Sequence, residues 1–130
     1  MKRWATLLAL VALLAFTATA SAIWQGANFA RDGAWHSISG TYFDTPETVQ
    51  MQQTGGPCSN FRPSLWRISN NTMIWQYTLA INMCPLGTVW SFPVCNGNHC
   101  PDYPGGVYIR LVAGPADGAT VAGWVNGVQS

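Results

Sequence analysis

His36, His99, Asp44, Glu47, Asp102 and Asp117 are the candidate proton-moving side chains of this 130-residue chain. A serine-type hydrolase needs a nucleophile, a histidine and an acid that converge in space. His36 and Ser37 are sequence neighbours. On an extended strand they point to opposite faces and form no local dyad. The G-x-S-x-G, H-E-x-x-H and P-loop patterns are absent. His36 reads as a sheet-surface histidine, and His99 and Asp102 as solvated residues flanking a turn. A glycosidase would need two carboxylates at a set distance across the scissile bond, which acid spacing in the sequence does not fix. The expectation is a protein that is not an enzyme, with no catalytic residues and no cofactor.

The other reactive residues are Cys58, Cys84, Cys95 and Cys100. Four cysteines permit three pairings. Asn96 to His99 forms a short linker suited to a tight turn, which favours Cys95–Cys100 across a hairpin and leaves Cys58–Cys84. Chain-entropy arguments give about 2 kcal/mol for the short loop and about 3 kcal/mol for the long one. A zinc reading would use His99 beside Cys100, but the paired C-x-x-C spacing is missing, so no metal is expected.

Disulfides require an oxidising compartment, and the N-terminus supplies the route. Lys2 and Arg3 precede an apolar run from Leu7 to Phe16, and Ala20-Ser21-Ala22 has the small-x-small pattern of a signal-peptidase site. Residues 1–22 read as a cleaved signal peptide of bacterial form, and 23–130 as one domain, periplasmic or secreted. The apolar run is too short for a bilayer span. Beyond residue 22 there is no lysine, and four arginines stand against five acidic residues, a net charge of −1. That balance lacks the basic footprint of a nucleic-acid binder. The protein is not expected to be membrane-embedded.

Alternation and turn residues dominate the sequence, with no sustained helical period. Strand candidates are 35–43, 47–53, 64–69, 72–82, 87–94, 106–113 and 119–128. Gly55-Gly56-Pro57, Asn70-Asn71 and 114–118 separate several of them. In 72–82, the clearest of them, Met73, Trp75, Tyr77, Leu79 and Ile81 share an apolar face. Pro93 argues for an edge position or a bulge in 87–94. About seven or eight short strands in all predict an all-β fold, one antiparallel β-sandwich or partly closed barrel. Trp75, Trp90 and Trp124 read as core. Trp24 and Trp66 have polar neighbours and are the candidates for stacking on a glycan. Asn70-Asn71-Thr72 matches a glycosylation acceptor, incidental behind a bacterial export tag.

Four pieces of the chain together resemble the flagellar periplasmic FlhE family. Trp24-Gln25 looks like the family's A-W-Q opening, and Trp75-Gln76-Tyr77-Thr78-Leu79 like its W-R-Y-x-L strand. Cys95 to Cys100 matches its C-x4-C hairpin, and Gly123 to Gln129 lies where the family carries a strand ending in glutamine. Cys58, Cys84 and the Cys84-Pro85 insert are additional to the family pattern, and the family adds a further strand past position 130. The resemblance implies a periplasmic accessory or chaperone of flagellar assembly with a protein partner. It implies no catalytic residue, and by position it carries over only the pair Cys95 and Cys100. The alternative is a secreted sugar- or cell-wall-binding β-sandwich.

Overall fold

The computed structural model describes residues 24–38, 45–95 and 100–129. The export segment, the 39–43 part of the first strand candidate, Asp44, and the 96–99 turn with His99 lie outside the described residues.

Among the described residues nine strands follow in order: β1 Gln25–Ala30, β2 His36–Ser37, β3 Pro46–Gly55, β4 Asn60–Arg67, β5 Met73–Gln76, β6 Ile81–Asn82, β7 Trp90–Pro93, β8 Val107–Gly114 and β9 Thr120–Gln129. They form two sheets. One has the order β1-β9-β3-β7; the other runs β2-β8-β4-β5, with β6 also on β4. Every pairing is antiparallel. This is the expected all-β sandwich, held by two disulfides.

Strict alternation builds the core. Val107, Ile109, Leu111 and Ala113 of β8 point inward and are buried, while Tyr108, Arg110 and Val112 between them are half-buried. Phe61 and Leu65 of β4 face Val49 and Met51 of β3 and Val121 and Val125 of β9, all buried. Each such apolar side chain contributes roughly 1.5–3 kcal/mol through removal from water.

Two buried polar residues organise the loop from β3 to β4. Gln53 donates from Nε2 to the carbonyls of Gly55 at 2.9 Å and Pro57 at 2.6 Å, and its Oε1 accepts from the Ser59 amide at 3.2 Å. Arg31 donates to the Cys58 carbonyl and the Ser59 hydroxyl, each at 3.2 Å, and pairs with Asp117. Both side chains are thus satisfied in the interior. The loop presents Cys58 to Cys84, with Cα atoms 5.7 Å apart. The second bond joins Cys95 to Cys100, Cα atoms 5.2 Å apart. That is the pairing the sequence favours.

The 72–82 candidate is not one strand. It splits into β5 and β6, both on the same edge of β4. Pro63 of β4 lies between the two pairings and offers no N–H, so the ladder is interrupted there. Tyr77 donates its amide to the Pro63 carbonyl at 3.0 Å, and the chain then bends through 78–79. Leu79 is turned out of the expected apolar face and is 62% exposed; Met73, at the start of β5, is 40% exposed.

The tryptophan expectation also needs correction. Trp75 is half-buried against the core, but Trp90 and Trp124 are 39% and 38% exposed. Trp90 faces inward opposite Met51, yet it starts an edge strand with nothing beyond it among the described residues. Trp124 points outward because Gly123 takes the inward position. A Cβ at Gly123 would lie 2.7 Å from Phe29, so the core has no room for a side chain there.

Candidate functional site

Among the described residues His36, Asp117 and Asp102 each have separate partners. His36 Nε2 lies 2.7 Å from Asp32 Oδ1, half-exposed at the edge of the β2 sheet. The bond to His36 and the Ala34 amide hold the Asp32 carboxyl below its ordinary value. Ser37 sits on the opposite face of β2. Asp117 binds the Ala119 amide and Arg31, and these two, in that order, hold its carboxyl low. Asp102 is exposed and accepts a long 3.4 Å bond from Thr45. Among the described residues no three His, Cys, Asp or Glu side chains converge as metal ligands. A shallow depression of about 430 Å³ beside β4 and β8 is lined by Asn60, Arg62, Thr78, Val112 and Pro115 among others. Its one charged lining residue is Arg62, which lies 5.1 Å from the Trp35 ring. The depression holds a cation but no carboxylate that could act as an acid or base.

Trp24 and Trp66, the candidates for stacking on a glycan, are both half-buried. Trp66 donates Nε1–H to Ser64 Oγ at 2.8 Å, and the Arg110 guanidinium lies 4.2 Å from its ring. Arg110 also bonds Asn71 and Tyr108. The Trp66 ring is therefore engaged within the sheet's own surface. Trp24 is half-buried ahead of β1.

The feature the sequence hid is a flank. Phe92 of β7 packs at a tilt against Tyr77, with centroids 4.5 Å apart, and against Trp75 at 6.4 Å. These contacts bring the β7 edge of one sheet against the β5–β6 edge of the other. Leu79, between β5 and β6, Leu86 and Val89, between β6 and β7, and Trp90, at the start of β7, are each more than a third exposed. Among the described residues neither β7 nor β5 has a second strand neighbour. Pro93 removes one donor from the β7 edge. The disulfide at Cys84 fixes the 84–87 turn that carries Leu86, and the Gly87 amide donates to the Gln53 carbonyl at 2.8 Å. A bend residue such as Leu79 gives no sequence signal of exposure, since alternation alone places it inside.

No family model and no curated protein matches the chain. Among solved structures the chain is similar to one described as "Bacillus endospore appendages form a novel family of disulfide-linked pili", at 9% identity and a TM-score of 0.42. The match covers 85% of this chain and 88% of the other. At that distance the function must be read from this chain's own residues. No helix among the described residues is long and apolar enough to cross a membrane.

Proposed function

We propose that this protein acts by binding another protein after export, without catalysis, through the open flank of its sandwich. The observation that carries the reading is that Leu79, Leu86, Val89 and Trp90, exposed on or next in the chain to β5, β6 and β7, accompany two sheet edges that have no neighbour among the described residues. Exposed apolar side chains beside a free strand edge are the physical ingredients of strand-on-edge recognition: backbone groups supply affinity and the side chains supply selectivity. The depression beside β4 and β8, lined by no carboxylate, favours a non-enzymatic role.

The resemblance to FlhE supplies the setting: an accessory or chaperone of flagellar assembly in the periplasm. The test is capture of purified flagellar rod, hook and filament proteins on the oxidised protein, compared with Leu79→Ser and Trp90→Ser. The reading expects one of these proteins to bind the wild type and to be lost by both variants. Binding of none, or binding that ignores both substitutions, would remove the flagellar assignment and the flank respectively.

A further inference from the structure

We propose that the outer face of the β1-β9-β3-β7 sheet is a binding platform for a neutral glycan, with Trp124 as its stacking surface. This face is separate from the open flank.

The outward positions follow from the register. Trp124 of β9 lies between Gly26 of β1 and Gln52 of β3. Asn126 lies opposite Gln50, and Gln50 opposite Ser91 of β7. The seat of Trp124 is unusual. A Cβ added at Gly26 would stand 2.4 to 2.8 Å from three atoms of the indole: Cε2, Cδ2 and Nε1. The ring therefore lies flat on the bare backbone of β1. At 38% exposure, its other face is turned to solvent. The face of an aromatic ring is electron-rich, and it attracts the weakly positive C–H groups on the apolar side of a pyranose.

The neighbouring polar groups are uncharged and fixed. Asn126 donates Nδ2–H to Gln50 Oε1 at 2.8 Å, and Gln50 donates Nε2–H to Ser91 Oγ at 3.0 Å. This ladder crosses three strands and locks the rotamers of its members. It leaves Asn126 Oδ1 without a donor, on a residue only 2% exposed. Gln52 lies directly across from the ring, and Asn126 sits about 7 Å further along β9, the spacing of alternate residues on a strand. Asn126 is buried and serves to fix Gln50; the half-exposed Gln52 amide beside the flat ring, which can both donate and accept, is the group that suits sugar hydroxyls. The central outward positions, Asn28, Gln50, Gln52, Ser91, Trp124 and Asn126, carry no charge, which favours a neutral glycan over an anionic one.

The test is a titration of the oxidised protein with cellohexaose and chitohexaose, read by tryptophan fluorescence and by amide chemical shifts. The expected result is saturable binding of at least one of the two, with shifts centred on 50–52 and 124–126. Trp124→Ala should weaken that binding at least about tenfold, as removal of a central aromatic anchor does. Gln52→Ala, which leaves the ring in place, should weaken it less, and Trp90→Ala should leave it unchanged. No saturable shift with either oligosaccharide overturns the proposal. So does binding that survives in Trp124→Ala while being lost in Trp90→Ala. Failure here leaves the protein-capture result on the flank unaffected, and the reverse holds too.

Discussion

Two glycines of β9 and β1 make a matched pair of substitutions with opposite expected outcomes. In Gly123→Ala the new methyl would lie 2.7 Å from Phe29 Cε1, 3.2 Å from Leu111 Cδ1 and 3.4 Å from Phe61 Cε2. All three neighbours are buried, and the Phe29 ring is already packed against His36 and Phe61, with centroids 5.3 and 5.6 Å away. Overpacking of this kind costs about 1–3 kcal/mol. Loss of glycine freedom in the unfolded chain returns about 0.4–1 kcal/mol. The net is a destabilisation of about 1–2 kcal/mol. For a domain of this size, each kcal/mol shifts Tm by about 4–8 °C. Gly26→Ala produces an even closer contact, 2.4 Å, but the neighbour is the exposed Trp124 ring, which is free to swing into solvent. Its Tm should move by only a few degrees, while the Trp124 fluorescence shifts to the red. Paired thermal melts and emission spectra of the oxidised proteins check this. Equal Tm losses for both variants, or none for Gly123→Ala, would refute the placement of Gly123 as the inward residue and Trp124 as the outward one.

Other outcomes follow from the same structure. Removing Cys58–Cys84, which closes a 26-residue separation, should cost about 3–3.5 kcal/mol on the chain-entropy model, against about 2 kcal/mol for the 5-residue Cys95–Cys100 loop; denaturant melts of the two paired serine variants compare them. Asp117 has its folded pKa held below the ordinary 3.8 by the Ala119 amide and Arg31, so its stabilisation is present above about pH 4 and is lost as pH falls through the folded value. The Tm of Asp117→Asn should accordingly show a shallower fall than wild type on acidification below pH 4. Leu79→Ser should leave Tm nearly unchanged, within the roughly 0.5 kcal/mol usual for surface positions, because Leu79 already faces water.

The strand skeleton was legible wherever period-2 alternation was clean. In β8, every second residue from Val107 to Ala113 faces inward as the pattern requires. The 47–53 candidate became the longer β3, because Pro46, opposite Gln129, and Gly55, opposite Ala122, extend the pairing with β9. The pairing of the four cysteines followed from loop length and composition. What alternation could not supply was the neighbour on either side. Pro63, distant in sequence, interrupts the ladder that would have made 72–82 one strand. Phe29, Leu111 and Phe61, from three other strands, decide that Gly123 rather than Trp124 faces the core. Likewise Arg110 determines that Trp66 is engaged. Each depends on residues far apart in the chain, so a local pattern carries no trace of it. Arg31, the buried cation beneath the Cys58 loop, also gave no signal, because its partners Ser59 and Asp117 lie 28 and 86 residues away.

The central claim is that the protein works by contact along the flank where β7 meets β5 and β6. Photo-crosslinking in living cells tests it most directly, with a light-activated residue at position 79 or 89 and controls at 48 and 122 on the outer face of the β1-β9-β3-β7 sheet. The account predicts one discrete protein adduct from 79 and 89 and none from the two controls. Adducts from the controls alone, or no adduct from 79 and 89 in cells assembling flagella, would contradict it.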